Sequence, residues 1–358
     1  MKVAVYSIAL NEAQFVEKWY NSAKEADYLL IADTGSSDNT VELAKSLGIH
    51  VIDISVKPWR FDDARNASLA GIPKDIDYCI ALDLDEVLIE GWKPELEKAF
   101  KEGWTRPRYN YTWNWKEDGS PGLQYGGDKI HSRQGYRWKH PVHEVLVTNQ
   151  SEERQGWVGL EIHHHADNTK SRSQYMPLLQ QAVLEDLSDD RNAFYYAREL
   201  FFHSQTALAT EEFKRHLSLP KAVWPPERAA SMRYLAKLEI DPREKEEWFK
   251  KAVREAPNRR EAYVELAEFY YSQNRWEECL VMAENALSIM EKPLEYLCEE
   301  FAWGHMPYDY AAIAAYNLGN FEKALTYGTK AVELNPEELR LQSNLAFYSR
   351  ETLDGNNV

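Results

Sequence analysis

The chain of 358 residues is 44% hydrophobic and 28% charged, an ordinary globular composition with length for about two domains. Its formal charge of -16 argues against a nucleic-acid surface, because phosphate binding needs clustered Lys and Arg, so an anionic ligand here needs a metal or a local basic pocket. Cys79, Cys279 and Cys298 are scattered without metal-ligand spacing, which suits buried thiols in a reducing cytosol and predicts a cytoplasmic protein with no disulfide framework.

From the N-terminus, Met1 to Leu10 is apolar only briefly before Asn11-Glu12. That is too short for a signal segment or a membrane span, and it reads as a first strand. Up to about residue 90, short apolar runs alternate with amphipathic segments, the pattern of a parallel sheet covered by helices, with strands at Lys2–Ile8, Tyr28–Ala32, His50–Ile54 and Tyr78–Leu82. Between the second and third strands, Ser36-Ser37-Asp38-Asn39 precedes Val41, Leu43, Ala44 and Leu47, and Gly48 follows: a cap, an apolar stripe and a stop. Trp59 to Leu69 reads as a further helix start. From Tyr109 to Trp115 aromatics fall on every second residue, a strand whose apolar face packs on the core, with a sugar-stacking platform as the alternative. Residues 117–150 read as irregular loops with a strand pair, and Trp157–Ile162 as a late strand.

Past about Asn168 strand signals vanish and helical periodicity takes over. A degenerate repeat of about 34 residues is visible there. Leu266-Ala267, Tyr270, Cys279 and Ala283 recur in role as Ala312, Ala324 and Gly328, and Ala252 with Pro257 as Ala286 with the turn near Pro293 and again as Ala331 with Pro336. One interval is longer by a segment, Leu294–Gly304. The chain therefore reads as an α/β domain over 1–170 followed by an all-α helical repeat domain over 171–358. Such repeats stack and bind a protein partner or hold a homodimer.

The chemistry concentrates at predicted strand ends. The fourth strand runs into Asp83-Leu84-Asp85-Glu86, hard oxygen ligands at the open edge of a sheet, where a divalent cation and a diphosphate can meet. An acidic helix start is the plain alternative. The second strand runs into Asp33-Thr34-Gly35, which suits recognition of a nucleoside, Asp33 accepting from a base N–H or a ribose hydroxyl. Strand one ends beside it on Ala9-Leu10-Asn11-Glu12. Asp38 is fully explained as a cap. Arg65 is either a diphosphate ligand or a salt-bridge partner of Asp62 or Asp63.

Asn-Glu after strand one, Asp-Thr-Gly-Ser-x-Asp-x-Thr after strand two, Ala-Arg-Asn on a helix and Asp-x-Asp-Glu after a strand together resemble family 2, inverting glycosyltransferases of the GT-A fold over residues 1 to about 170. The helical half resembles the tetratricopeptide (TPR) repeats that follow the transferase domain in a bacterial subgroup. The resemblance implies a metal-dependent enzyme, with Mn²⁺ or Mg²⁺, that moves a sugar from a nucleotide-sugar, by family habit a UDP-sugar, to a saccharide, peptide or protein acceptor. Ala9, Leu10, Asn11, Glu12, Asp33, Arg65, Asp83 and Leu84 would then line the donor site, and Asp85 would ligate the metal. Tyr136-Arg137-Trp138-Lys139-His140-Pro141-Val142-His143-Glu144 resembles the aromatic stretch ending in His-Glu of this subgroup. An inverting displacement needs a base, which makes Glu144 the first candidate and His143 the second. In related folds one late histidine returns to the metal. His163 and His165 share a face of the late strand and His164 takes the other, and His165, then His163, is the expected ligand, unless the run is a solvated strand end.

Two other enzyme classes fit less well. A nucleotidyltransferase or a methyltransferase would carry a Gly-rich loop straight after strand one, where Ala9-Leu10-Asn11-Glu12 stands. A TPR-type protein-binding scaffold with a degenerate transferase domain would not need Asp33, Arg65, Asp83 and Asp85 together.

Overall fold

Val3, Ala4, Val5 and Tyr6 are buried in succession, on both faces of the strand they form, so the first strand lies in the middle of a covered sheet. The computed structural model describes residues 1–149, 152–167 and 175–355, and the chain divides into two compact units, Met1–Glu185 and Asp186–Val358.

The first unit begins β1 (Val3–Ala9), α1 (Ala13–Ala23), β2 (Tyr28–Asp33), α2 (Thr40–Ser46), β3 (His50–Asp53), α3 (Phe61–Ala70) and β4 (Tyr78–Ala81). It continues through β5 (Glu86–Leu88), α4 (Trp92–Lys101), β6 (Arg106–Thr112), β7 (Gln124–Gly127), β8 (Ile130–Ser132), β9 (Tyr136–Lys139), β10 (Val145–Thr148), β11 (Gln155–His164) and α5 (Tyr175–Glu185). One sheet has the order β3-β2-β1-β4-β8, its first four strands parallel, and a second has the order β5-β11-β6-β7. Parallel pairing puts the ends of β1 to β4 on one edge, with Ala9 opposite Asp33 and Asp33 opposite Asp53. Trp19 of α1, fully buried, donates its indole N–H to the Leu82 carbonyl at 3.0 Å and so fixes the chain just before the acidic turn.

Asp83-Leu84-Asp85 is the tight connection from the first sheet to the second, not a helix start. The first half of the aromatic run lies in β6, with Tyr109 and Tyr111 in the core as the packing reading expects, but the strand ends at Thr112, and Trp113 and Trp115, partly buried, pack on the histidines that end β11. The loop region 117–150 contains the expected pair, β9 with β10, and also β7 and β8, whose glycine-rich or short sequences carry no period of their own. Gly127 is required where it stands, since a Cβ there would lie 2.2 Å from the Tyr109 ring.

The division into units falls after α5, later than the loss of strand signals near residue 170 suggests. α5 is helical but packs on the sheet domain: Tyr175 meets Phe61 and His143 edge-on, and Glu185 pairs with Arg60.

The second unit pairs α6 (Asp190–Phe202) with α7 (Thr206–Ser218), α8 (Pro225–Leu238) with α9 (Pro242–Glu255), and α10 (Arg260–Ser272) with α11 (Trp276–Ser288). After a short α12 (Glu300–Trp303) come α13 (Met306–Asn317) with α14 (Phe321–Leu334), and finally α15 (Leu339–Gly355). Side-chain caps from Asp189, Asp241 and Asn320 start three of these helices. The small repeat residues Ala252, Cys279, Ala283, Ala286, Ala324 and Ala331 are buried between helices, which lets the backbones approach closely. Among the described residues no helix is long and apolar enough to cross a membrane.

Candidate active site

The site is an ionic cluster at the edge where β1 to β4 end. α3 begins at Phe61, whose N–H bonds the Pro141 carbonyl, with the Arg60–Asp62 pair spanning its first residues, and this start aims Arg65 inward. Arg65 is 6% exposed. Its Nη2 donates to Asp83 Oδ2 at 3.1 Å, Nη1 lies 2.8 Å from Asp83 Oδ1 as a charge contact rather than a hydrogen bond, and Nε bonds Glu144 Oε1. The neighbouring carboxylates Asp62 and Asp63 both face Arg60 instead, so the local salt-bridge alternative for Arg65 is not the one adopted.

A second cation completes the cluster. Lys129 Nζ lies 2.8 Å from Asp83 Oδ2 and 3.0 Å from Glu86 Oε1, while Glu86 also accepts from Tyr111 Oη at 2.6 Å and from Asp83 N at 2.9 Å. Burial opposes charge on Asp83, but Arg65 and Lys129 outweigh it and hold the carboxyl far below the usual range. For Glu86 burial wins, helped by Asp83 and Asp85, and pushes the carboxyl up against the pull of Lys129. Arg65 is buried and Lys129 partly buried, and both are held well above their ordinary values by the carboxylates they touch.

Asp85 stands apart from this cluster and meets a histidine. It is His164, not His165 or His163, whose Nε2 lies 3.3 Å from Asp85 Oδ2. The inward face of β11 is Val158, Leu160, Ile162 and then His164, so strand parity carries His164 to the site, and β11 pairing sets it opposite Glu86. The apolar alternation Val158-Leu160-Ile162 was the available signal. His164 Nδ1 is 2.8 Å from the Trp113 carbonyl, and Trp113 stacks on the ring at 4.4 Å. His163 faces Glu161 and Trp115, and His165 reaches Asp85 through its backbone N–H at 2.7 Å while its ring lies over Trp115.

The Asp33 end of the edge is organised by backbone capture. Asn11, at φ 56°, accepts from Ser37 N at 2.8 Å and Asp38 N at 3.3 Å, and its own N–H bonds Ser36 Oγ. Glu12 N–H bonds Thr40 Oγ1, and Asp38 caps both α1, at Ala13 N, and α2, at Thr40 N. Asp33 is 4% exposed; its Oδ2 accepts from Gly35 N and Ser36 N, both 2.9 Å, while Oδ1 has no hydrogen-bond partner. A cleft of ≈ 460 Å³ opens here, lined by Asp33, Gly35, Ser37, Asp38, Asp53 and Ile54 among others.

The expected residues thus fall into three groups. Arg65, Asp83 and Glu144 are in direct contact, Asp85 joins His164, and Asp33 lines the neighbouring cleft, whose Ser36–Thr40 loop Asn11 and Glu12 hold by hydrogen bonds. Ala9 contributes its carbonyl to Thr34 N at 2.9 Å, Leu10 is exposed, and Leu84 is a core residue. His143, at φ 50°, packs edge-on against Tyr175. Lys129 escaped sequence reasoning because a single lysine beside two glycines has no pattern.

Fold and edge site together define an α/β domain with an ionic site at its strand ends, joined to helical repeats. Residues 5–145 match the model of glycosyl transferase family 2, and residues 307–338 match that of the tetratricopeptide repeat, so the first unit is similar to family 2 glycosyltransferases and the second contains a TPR-like repeat. Over 100 residues it is 35% identical to an uncharacterized glycosyltransferase of Rickettsia bellii (strain RML369-C) and 33% identical to one of Rickettsia prowazekii (strain Madrid E). Each match covers 28% of this chain, and the chain spans about a third (33%) of those relatives' length. Among solved structures it is similar to YrrB, a TPR protein with an unusual peptide-binding site, at 14% identity and TM-score 0.40, covering 49% of this chain and 83% of that one.

Proposed function

We propose that the first unit transfers a sugar from a nucleotide-sugar donor, a UDP-sugar, to a saccharide, peptide or protein acceptor with inversion at the anomeric carbon. The observation that carries this reading is the pairing, on one sheet edge, of a cleft walled by Asp33 with a carboxylate cluster threaded by Arg65 and Lys129. The unpartnered Oδ1 of Asp33 supports recognition of a base N–H, because a buried carboxylate oxygen without a donor costs free energy that a ligand donor would recover. Arg65 and Lys129 are the cations available to the diphosphate side of the donor.

Asp85 and His164 fit a divalent cation. One is a hard oxygen donor, the other an imidazole fixed through its far nitrogen by the Trp113 carbonyl, the usual support of a ligating histidine. Among the described residues no group of three or more His, Cys, Asp or Glu is arranged to hold a metal, so this pair would share the ion with the diphosphate and water. A bound Mn²⁺ or Mg²⁺ neutralises the leaving group. Glu144, oriented by Arg65 Nε, is placed to accept the acceptor's proton, and Asp83 holds both cations in place.

The test is the melting temperature of the full chain with UDP alone, Mn²⁺ alone and both. A ligand at a hundred times its dissociation constant stabilises by about 2.7 kcal/mol. A shift with both that Asp85→Ala abolishes supports the reading, and no shift with any nucleoside diphosphate overturns it.

A further inference from the structure

The first helices of the repeat pairs begin at Asp190, Pro225 and Arg260 at even spacing, but the next begins only at Met306. The extra chain, Ile289 to His305, is mostly non-helical and lies across the face that α6, α8 and α10 present. It does so side chain by side chain. Tyr296 stacks on Tyr195 of α6 at 5.9 Å and 16°, touches Trp224, and donates its hydroxyl to Glu227 of α8. Glu299 Oε1 accepts from Arg233 of α8 at 2.8 Å, and Glu295 pairs with Arg259 at the start of α10. Glu261 of α10 accepts from Glu299 N and from the Trp303 indole, both at 3.1 Å, while Arg260 lies over the Trp303 ring at 4.2 Å.

The lining of this face is unlike the seams between repeats. Those seams use Ala267, Cys279, Ala283 and Ala311, whereas the face carries Glu227, Arg233, Arg259, Glu261 and Glu265, all buried. Charges buried in that number destabilise a fold unless something supplies their partners, and the inserted segment supplies several of them. The fit is incomplete. Arg259 Nη2, on a residue 4% exposed, has no hydrogen-bond partner, and beneath Leu297 a cavity of ≈ 10 Å³ remains beside Arg233 and Arg259, room for about one water.

We infer that residues 291–304 are a built-in occupant of the repeat groove, and that the groove recognises an extended protein segment of the same acidic and aromatic chemistry, Glu-Tyr-x-x-Glu, which must displace it. The partner is thus a protein carrying such a segment, and the insertion sets the threshold for its binding. A tethered segment acts at an effective concentration of about 1 mM, so it masks a competing peptide by the ratio of that concentration to its own dissociation constant. This inference does not depend on the sugar-transfer reading.

The experiment measures binding of a fluorescent peptide of residues 291–304 to the full chain and to a variant whose residues 292–304 are replaced by a short Gly-Ser connector. The expected result is at least tenfold tighter binding to the variant, lost when the peptide carries Tyr296→Ala and Glu299→Gln. A folded variant that does not bind the peptide, or a full chain that binds it as well as the variant, overturns the inference. Should the connector variant fail to fold, the full chain with Glu295→Gln and Glu299→Gln decides: its affinity for the wild-type peptide rises at least tenfold over that of the unaltered chain, or the inference is wrong.

Discussion

Replacing Arg65 by Met keeps an unbranched side chain of similar reach and removes only the charge and its donors. The guanidinium is nearly enclosed and touches Asp83 and Glu144, so its loss leaves two carboxylates facing an apolar thioether. Breaking a buried ion pair from one side costs about 3–5 kcal/mol. Two features lower that here: Lys129 still pairs with Asp83 at 2.8 Å, and Glu144 is 11% exposed and can draw in water. The expected loss for Arg65→Met is therefore about 2–4 kcal/mol, on the order of 5–15 °C in the melting of a unit this size. Urea unfolding followed by near-ultraviolet circular dichroism separates the two units, and only the transition of the first should move. Adding Glu144→Gln to Arg65→Met removes one stranded charge and should return at least about 1 kcal/mol, a non-additivity expected of groups in contact. Arg65→Met as stable as the parent, or a double variant weaker than the sum of its parts, would refute the account of Arg65 as the shared counter-charge.

His164→Ala should weaken Mn²⁺ binding, measured by calorimetry with UDP present, by at least tenfold, while His165→Ala should leave it within about twofold, since even a residue that only orients a ligand is worth factors of about 10 to 100 and a direct ligand no less. Each unit buries a histidine fully and holds its titration low: burial lowers His131 to about 4, and burial with Arg228 and Arg215 lowers His216 to about 4. Because these folded values lie below the unfolded one, the stabilisation is full above pH 6.5 and is lost as pH falls from 6.5 through about 4. The loss is at most about 3 kcal/mol in each unit, and His131→Gln, which can still bond the Tyr6 hydroxyl, should flatten the pH dependence of the first transition alone. At Gly328 of α14 a Cβ would stand 2.7 Å from the Tyr348 ring. Gly328→Ala should destabilise the second unit by about 1–2 kcal/mol in thermal unfolding, the overpacking exceeding the gain of up to about 1 kcal/mol in helix propensity.

What could be read from the sequence followed from whether a residue's role is set by its own neighbours. The strands that form the first sheet announce themselves because a doubly covered strand must be apolar throughout, and Asp38 because a cap is a local device. Asp33, Asp83 and Arg65 were legible from their place relative to such elements. Lys129 was not, and Glu86 was legible only as part of the acidic run, since their meeting depends on β8 returning beside β4 and on β11 drawing β5 and β6 together so that Tyr111 reaches Glu86. His164 was legible in principle: the parity of Val158, Leu160 and Ile162 fixes its face, but not that Asp85 waits on that face. The helical character of α5 is local, whereas its allegiance to the first unit rests on Tyr175 and Glu185 meeting residues far back in the chain.

The charges around the acidic turn bear on the proposal of a divalent cation there. Asp83, Asp85, Glu86 and Glu144 stand against Arg65 and Lys129, with His164 at Asp85. Burial pushes Glu86 toward its neutral form, so the surplus is one to two negative charges. Two unit charges about 5 Å apart interact by about 3 kcal/mol at an effective dielectric near 20. A diphosphate entering alone would meet that repulsion more than once, and Arg65 and Lys129 cannot offset it fully because each already serves carboxylates. On that proposal a divalent ion at Asp85 and His164 would reverse the balance without disturbing the Arg65–Asp83–Lys129 bridge, which shares no oxygen with Asp85. Asp83 and Asp85 are therefore not interchangeable: the first is committed to organising cations that the chain itself supplies, and the second, paired with one histidine, is the carboxylate to which the proposal assigns an ion from solution.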